Sequence, residues 1–291
     1  MDMSKNTQVV VTGASGFVAK NIRKYLSQKD FNVISISRKN FKKFKNETKI
    51  VSYNYEEKEI LPKIKNSYGL IHLVGIGKQS VKNDYFSINL EFTKKIINLC
   101  KKSKIRKIVF NSGLGVSKTT SLGYFISKYR AEQQIIKSGL NYTIFRPSYI
   151  VGKDDLLTKY LKDQMKNNEI TIPGSGKYSI QPIYINDVVR IITRSLMDDK
   201  FRNKTLDLVG SESIPFKEYV KLFSMNKVKI KKIDLEFSYY DAINNPNCKI
   251  SLDDLNLLVG DFKGDSKKLR DFSQFDFQSI RKLLKSGILL Q

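Results

Sequence analysis

A tyrosine and a lysine four residues apart carry the clearest chemical signal in this sequence. Tyr124 and Lys128 share one face of the helix predicted over Tyr124–Ser138, because residues at this spacing lie one turn apart. A free phenol, with a pKa of about 10, is a poor acid–base group at neutral pH. A neighbouring ammonium favours the phenolate and lowers that pKa. The pair is therefore suited to proton transfer at an alcohol or a carbonyl.

The context of this pair distinguishes it from pairs that arise by chance among 15 tyrosines and 52 lysines and arginines. Two further pairs have the same spacing, Tyr25/Lys29 and Tyr149/Lys153. The first lies in the first predicted helix, and the second follows Pro147 in a loop. Only Tyr124 begins the helix that follows the strand predicted at Lys107–Asn111, so we favour Tyr124 and Lys128.

A second signal is the stretch Gln8–Leu26, QVVVTGASGFVAKNIRKYL, which predicts a buried strand, a glycine turn and an amphipathic helix. Gly13 can adopt a positive φ, and Gly16 lets a diphosphate approach the backbone. The helix that follows directs free N–H groups and the positive end of its dipole to the same place. Ala19, the third small position, still permits close packing of helix on strand. The stretch therefore predicts a dinucleotide site.

The residues after the second predicted strand, Phe31–Ser37, bear on the choice of dinucleotide. An acid at this place holds the ribose 2′-hydroxyl of NAD, but the sequence has Arg38 and Lys39 there. A guanidinium pairs in bidentate fashion with a 2′-phosphate, and Lys39 adds a second positive charge. The sequence therefore favours NADP(H), with NAD(H) as the alternative and an ordinary surface arginine as the simplest competing explanation.

Strand and helix patterns alternate through the first 150 residues, which predicts an α/β fold with a Rossmann-type, doubly wound parallel sheet. Besides the elements above, we predict strands at Ile50–Tyr53, Leu70–Val74 and Tyr142–Arg146 and a helix at Asn89–Lys101. In the remainder we predict helices at Leu156–Asn167, Phe216–Phe223 and Phe277–Leu284, a turn-rich hairpin or loop at Ile170–Tyr178, a short strand followed by a helix at Ile183–Leu196, and a strand at Thr205–Val209.

These elements predict the domain organisation. We expect a dinucleotide-binding core over residues 1–150. Residues 151–291 form a mixed region that completes the core at about 180–210 and builds a smaller substrate-binding lobe, since ligands of such folds bind at the carboxyl edge of the sheet.

Composition limits the partners. The net charge of +24 would suit nucleic acid or an anionic membrane. The lysines, however, are spread along the chain, without an arginine-rich tract or a nucleic-acid-binding module, so we expect a solvated basic surface and no nucleic acid. The sequence has no run of 18 apolar residues, so we predict no membrane-spanning helix.

Cysteine and histidine are scarce. Cys100 and Cys248 are distant from each other, and MDMSKNT leads directly into the first strand without a signal peptide, so we expect reduced thiols and a cytoplasmic protein. His72 is the only histidine, which gives poor support to a metal site or a Ser-His-Asp relay. We interpret His72 as a residue at a strand end, and no metal is expected.

The chain resembles the extended or atypical short-chain dehydrogenases/reductases of the NAD-dependent epimerase/dehydratase kind, and is most similar to the branch with the complex I NADH-dehydrogenase accessory subunit. The similarity runs from residue 8 to about 190, and the last hundred residues are less specific. The matching segments are TGASGFVA (Thr12–Ala19), HLVG (His72–Gly75), Asn89 in SINLEFT, VFNSG (Val109–Gly113), YFISK (Tyr124–Lys128), FRPSYIVG (Phe145–Gly152) and QPIYINDVV (Gln181–Val189).

The resemblance implies a role for each matched residue. Tyr124 would be the acid–base group and Lys128 would bind the nicotinamide ribose. The residues that would surround the cofactor are Gly13, Ala14, Ser15, Gly16, Phe17 and Val18 at the diphosphate, Leu73, Val74 and Gly75 at the adenine and ribose, and Pro147, Tyr149 and Ile150 at the nicotinamide amide.

One position departs from the family pattern. Aligning Val116 and Ser117 with the usual valine–tyrosine puts Gly113 where the family has its catalytic serine. Ser112, one residue earlier, either turns in to hydrogen-bond the substrate oxygen or only ends the strand.

Two functions therefore stay open. The first is a hydride-transferring oxidoreductase or epimerase acting at a hydroxyl or carbonyl carbon of a small-molecule substrate. The second is a dinucleotide-binding accessory, assembly or sensor module without turnover. Either form could be a monomer or a homodimer.

Overall fold

The structure, a computed structural model, describes residues 7–80, 83–245, 248 and 250–290. The N-terminal lead, for which no signal peptide is expected, lies in residues 1–6, outside the described residues. The strands are β1 Gln8–Thr12, β2 Asn32–Ser37, β3 Glu47–Val51, β4 Gly69–His72, β5 Lys107–Asn111, β6 Asn141–Pro147, β7 Ile150–Val151, β8 Glu169–Pro173, β9 Ser179–Ile180, β10 Ile183–Tyr184, β11 Lys204–Leu208, β12 Ile214–Pro215 and β13 Lys229–Ile233.

The helices are α1 Phe17–Gln28, α2 Glu57–Ile64, α3 Phe92–Lys102, α4 Gly123–Ile136, α5 Leu156–Met165, α6 Ile185–Met197, α7 Phe216–Phe223, α8 Leu235–Asn244, α9 Leu252–Val259, α10 Ser266–Ser273 and α11 Ile280–Lys285. A π-helix at Phe86–Glu91 leads into α3, and a 3₁₀ turn occupies Asp199–Phe201. Within the described ranges, every helix is too short or too polar to cross a bilayer.

Seven strands form the central sheet in the order β3-β2-β1-β4-β5-β6-β11. The first six pair in parallel, with Val10 opposite Ile34 on one side and Leu70 on the other. The strand order reverses between β1 and β4, and in open α/β sheets ligands bind outside the carboxyl ends of the strands at such a point. This arrangement confirms the predicted doubly wound fold and places Thr12 and His72 at the reversal.

Burial on both faces explains the composition of the inner strands. Val9, Val10 and Val11 of β1 are fully buried, as expected for a parallel strand covered by helices on both sides. Helix α1 buries Ala19, Ile22 and Leu26 along one stripe. The helix therefore packs with its N-terminus at the carboxyl end of β1.

The chain forms two compact units. The first contains the chain up to Arg146 together with Val188–Leu206, and the second contains Pro147–Asp187 together with the chain from Asp207 onwards. The core of the second unit includes stacked rings of Phe216, Tyr219 and Phe223, with successive ring centroids 6.4 and 6.3 Å apart.

The prediction of a turn-rich hairpin or loop at Ile170–Tyr178 is wrong for its first four residues. Residues Glu169–Pro173 form β8, which pairs in parallel with β13. Pro173, Gly174 and Gly176 end the strand, but its partner lies more than 50 residues later and is lysine-rich, so local turn signals could not reveal the pairing. The sequence analysis also missed α2 and helices α8–α10.

Candidate active site

The glycine turn between β1 and α1 has the shape that a diphosphate requires. Gly13 adopts a φ of +71°, and a Cβ there would lie 2.9 Å from the backbone carbonyl carbon and oxygen of Leu73. Gly16, the N-cap of α1, donates its N–H to the Gly13 oxygen at 2.9 Å. No side chain caps the first turn of α1, so its N–H groups are available to an anion. A dinucleotide diphosphate fits this turn.

Two buried side chains that the sequence analysis missed hold the turn. The Gly13 N–H donates to the Tyr55 hydroxyl at 3.2 Å, and that hydroxyl donates to the Ile36 oxygen at 2.9 Å. Arg23 donates from Nη1 to the Ala14 oxygen at 2.6 Å. An arginine on the buried stripe of α1, beside Ile22, was the one local signal for this support.

The carboxyl end of β2 carries the residues expected at the adenosine ribose. Ser37 Oγ donates to Ser15 Oγ at 2.9 Å, and the Lys39 N–H donates to Ser37 Oγ at 3.2 Å. Arg38 is half-buried and donates from Nη1 to Asn83 Oδ1 at 3.2 Å. The structure thus brings Ser15 and Arg38 to one sheet edge, although Arg38 already has an amide partner.

Leu73, Val74 and Gly75 form the loop after β4. The Leu73 N–H donates to Thr12 Oγ1 at 3.3 Å, which keeps this loop beside the end of β1. A Cβ on Gly75 would lie 2.9 Å from Lys128 Nζ, so the lysine approaches the loop backbone closely. This loop therefore lies between the glycine turn and the tyrosine–lysine pair.

Tyr124 and Lys128 begin α4 as predicted from their spacing. Tyr124 Oη is 3.0 Å from the position that a Cβ on Gly113 would take. Lys128 Nζ donates to the backbone carbonyl oxygen of Asn111 at 2.9 Å and lies 4.9 Å from the centroid of the Phe110 ring. The start of α4 is therefore packed against the carboxyl end of β5.

Burial controls both ionisable groups of this pair. It raises the pKa of the Tyr124 phenol to about 12, so the lowering of this pKa that the sequence predicted is wrong for the folded chain. Burial lowers the pKa of the Lys128 ammonium to about 8, with the Glu132 carboxylate acting in the opposite direction. The structure thus holds Tyr124 as a neutral phenol, which can donate a proton.

Two polar atoms beside the pair have no hydrogen-bond partner in the part of the chain that the structure describes. They are Ser112 Oγ and Asn111 Oδ1, both at the end of β5, and Ser112 is only 4% exposed. A buried polar atom without a partner is destabilising, so it is typical of a place where a ligand completes the hydrogen bonding. Gly113 supplies no side chain here, and the Tyr124 phenol lies where a Cβ at this position would need space.

A buried amide joins this site to the loop after β4. Asn89 accepts from the Ile76 N–H at 2.9 Å and donates to Ser127 Oγ at 3.0 Å. Ser127 Oγ in turn donates to the backbone carbonyl oxygen of Tyr124 at 2.7 Å. The sequence analysis matched Asn89 to the family without giving it a role, because its partners lie 13 and 38 residues away.

His72 has no free nitrogen for acid–base work. Its Nδ1 lies 2.9 Å from Thr12 Oγ1 and its Nε2 lies 3.1 Å from Thr93 Oγ1. Burial, together with the Lys128 charge, lowers the pKa of the imidazole to about 3. His72 is therefore a neutral residue of the core at the end of β4.

Arg146 and the residues expected at the nicotinamide amide lie at the end of β6 and just after it. Arg146 forms an ion pair with the buried Glu132 carboxylate, at 2.7 Å from Nη2 to Oε2. Pro147, Tyr149 and Ile150 belong to the second unit, where burial raises the pKa of the Tyr149 phenol.

Comparisons with known proteins agree on one family. Residues 9–206 match the model of the NAD dependent epimerase/dehydratase family. An uncharacterized UDP-glucose epimerase, YtcB of Bacillus subtilis, is 24% identical over 270 residues, which cover 79% of this chain and 85% of that protein. Subunit 9 of the NADH dehydrogenase 1 alpha subcomplex of Arabidopsis thaliana is 24% identical over 181 residues, or 61% of this chain and 45% of that protein.

The share of each relative's length that this chain covers varies, and the structural similarity extends over more of the chain than the sequence similarity. The chain covers between 40% and 50% of the length of three of the matched curated relatives. A variant of UDP-glucuronic acid 4-epimerase from Bacillus cereus, solved with a fluorinated UDP-glucuronic acid and NAD, superposes with a TM-score of 0.74 at 16% identity, over 97% of this chain and 98% of that one. That likeness shows a shared fold.

Proposed function

The chain belongs to the NAD dependent epimerase/dehydratase family, and from this premise we propose that it is an NAD(P)-dependent oxidoreductase or epimerase. It moves a hydride at a hydroxyl or carbonyl carbon, with Tyr124 as the acid–base group. The observation that carries the proposal is the approach of Tyr124 Oη and Lys128 Nζ to Gly113 and Gly75, at the carboxyl ends of β5 and β4. This edge also holds the uncapped glycine turn.

Different residues of the chain would have different roles in the reaction. The nicotinamide, when bound, supplies or accepts the hydride. The N–H groups of the first turn of α1 would hold its diphosphate, Gly13 and Gly16 would let it approach the backbone, and Lys128 would bind the ribose hydroxyls. Tyr124, kept neutral by burial, would donate its proton to the substrate oxygen as that oxygen gains charge. Ser112 Oγ would donate a hydrogen bond to the same oxygen.

We further propose a preference for NADP(H). Arg38 and Lys39 occupy the place where an acid would select NAD, and Ser37 before them is hydrogen-bonded to Ser15 of the glycine turn. Some structural neighbours were solved with NAD, so the proposed preference rests on Arg38 and Lys39 of this chain and not on the comparisons. NAD(H) is the alternative cofactor.

For the substrate we propose a sugar nucleotide. This rests on the ligands named for the fold neighbours, UDP-glucose and UDP-glucuronic acid. A second candidate function is a dinucleotide-binding accessory or assembly module without turnover. Gly113 at the serine position favours it, as does the sequence similarity to the complex I subunit.

The test is turnover with UDP-glucose, UDP-galactose and UDP-glucuronic acid, each with NAD or NADP, followed by chromatography of the products. We expect Tyr124→Phe to lower turnover by about 10²–10⁴-fold with an unchanged cofactor Kd. Tyr25→Phe is the matched control, because Tyr25 and Lys29 have the same spacing on α1 and lie outside the site. Cofactor binding without product from the wild type would instead support the accessory function.

A further inference from the structure

Tyr55 lies in the segment between β3 and α2 and is fully buried. Its ring packs edge-on against Phe92, with centroids 4.6 Å apart. Its hydroxyl accepts from the Gly13 N–H at 3.2 Å and donates to the Ile36 oxygen at 2.9 Å. The same Ile36 oxygen accepts from the Ala14 N–H at 3.1 Å. One phenol oxygen therefore joins the first residue of the glycine turn to the end of β2.

We propose that Tyr55 is a positioning residue for the dinucleotide diphosphate. The inference rests on the proposed function, in which the glycine turn binds that group. Gly13 has no side chain and adopts a positive φ, so local sterics restrict the peptide plane that carries its N–H only weakly. The Tyr55 hydroxyl restricts it by holding the Gly13 N–H away from the ligand.

The hydroxyl also decides which N–H groups the ligand meets. The Gly13 N–H is taken by Tyr55, the Ala14 N–H by Ile36 and the Gly16 N–H by the Gly13 oxygen. The diphosphate is left with the uncapped first turn of α1. Without the hydroxyl, the Gly13 N–H would be a buried donor without its partner, and the peptide could rotate towards the ligand or to water.

The ring and the hydroxyl have separable effects. A phenylalanine at position 55 would keep the packing on Phe92 and lose only the contacts to Gly13 and Ile36. Tyr55→Phe therefore isolates the effect on the turn, and Phe92→Leu disturbs the same ring cluster while it keeps the hydroxyl.

The experiment measures binding of NADH, ADP-ribose and adenosine to Tyr55→Phe, Phe92→Leu and the wild type. We expect Tyr55→Phe to raise the Kd of NADH and ADP-ribose about tenfold and to leave that of adenosine, which has no diphosphate, within about twofold. Phe92→Leu should leave all three within about twofold. Tyr219→Phe is a second control, because Tyr219 is fully buried and its hydroxyl has no partner within the described residues.

Equal losses for adenosine and NADH, or no loss at all in Tyr55→Phe, would overturn the positioning role. Amide exchange of the wild type tests the contact even if Tyr55→Phe does not fold: the Gly13 amide should exchange much more slowly than the Ser15 amide, and equal rates would overturn the inference. A wild type that binds none of NADPH, NADH and ADP-ribose would contradict the proposed function itself, whatever the exchange rates.

Discussion

The buried ion pair between Arg23 and Glu47 offers a quantitative test of how the nucleotide turn is supported. The two side chains are 2% and 1% exposed, and Arg23 contacts both carboxylate oxygens, at 2.5 Å from Nε and 3.0 Å from Nη2. Arg23→Met would leave the carboxylate buried with only the Ser35 hydroxyl and the Phe44 N–H as donors. Removing one partner of such a pair costs about 3–5 kcal/mol, a large share of the about 5–15 kcal/mol that stabilises a typical domain.

The double variant Arg23→Met/Glu47→Leu separates the charge from the packing. It removes the unpaired carboxylate, and an apolar pair of similar volume is often neutral compared with a buried ion pair. We expect it to recover most of the loss, although the Ala14 and Lys42 oxygens still lack the donors that Arg23 supplied and the Ser35 hydroxyl and the Phe44 N–H lose the carboxylate as acceptor. Cofactor affinity should therefore stay reduced in the double variant while stability returns.

Urea unfolding of the wild type, the two single variants and the double variant gives the free energies and the coupling between the residues. Burial acts to raise the pKa of Glu47, but hydrogen bonds from Arg23, Ser35 and the Phe44 N–H outweigh it and hold the pKa below its ordinary value. A carboxylate with a lowered folded pKa stabilises the protein above its unfolded pKa and loses that effect as pH falls through the folded pKa. An Arg23→Met cost below about 1 kcal/mol, or additive single losses, would refute the reasoning.

Two further predictions concern the residues at the ends of β4 and β5. His72 has a folded pKa of about 3, so the unfolded chain binds the proton first and stability falls as pH drops below the ordinary histidine value. His72 is the only histidine, so the wild type should lose about 1 kcal/mol of unfolding free energy between about pH 6.5 and 5.5, measured by urea titration. His72→Gln should not show this loss. An equal dependence of unfolding free energy on pH in the two proteins would contradict the burial of His72. Ser112→Ala removes a hydroxyl without a partner in the described chain, so it should change the free energy of unfolding by less than about 1 kcal/mol. Turnover should fall at least about tenfold. Unchanged turnover would show that Ser112 has no role in the reaction.

The parts of the site that follow from local sequence were predictable. Gly13 and Gly16 occur between a three-valine strand and an amphipathic helix, and Tyr124 and Lys128 share a helix face, so each signal is complete within about 20 residues. Parallel strands buried on both faces also give continuous apolar runs, which explains why the positions of the core strands along the chain could be predicted.

The support of the site depends on contacts between distant residues, which a single sequence does not reveal. Tyr55 lies in a loop without a pattern and meets Gly13 only because β3 returns beside β2. Asn89 and Ser127 are 38 residues apart in the sequence, and the paired strands β8 and β13 are also far apart in the sequence. The raised pKa of Tyr124 likewise depends on burial by the folded chain, which the Tyr–Lys spacing does not contain.

We propose above all that the glycine turn binds a dinucleotide whose 2′-phosphate Arg38 recognises. The most direct measurement is a fluorescence titration of cofactor-free protein with NADPH and with NADH, in the wild type, in Arg38→Ala and in Arg106→Ala, an exposed arginine at the amino end of β5. We expect tighter binding of NADPH, a preference that Arg38→Ala removes and Arg106→Ala keeps. Preference for NADH with no effect of Arg38→Ala would contradict the role of Arg38, and binding of neither cofactor would contradict the site.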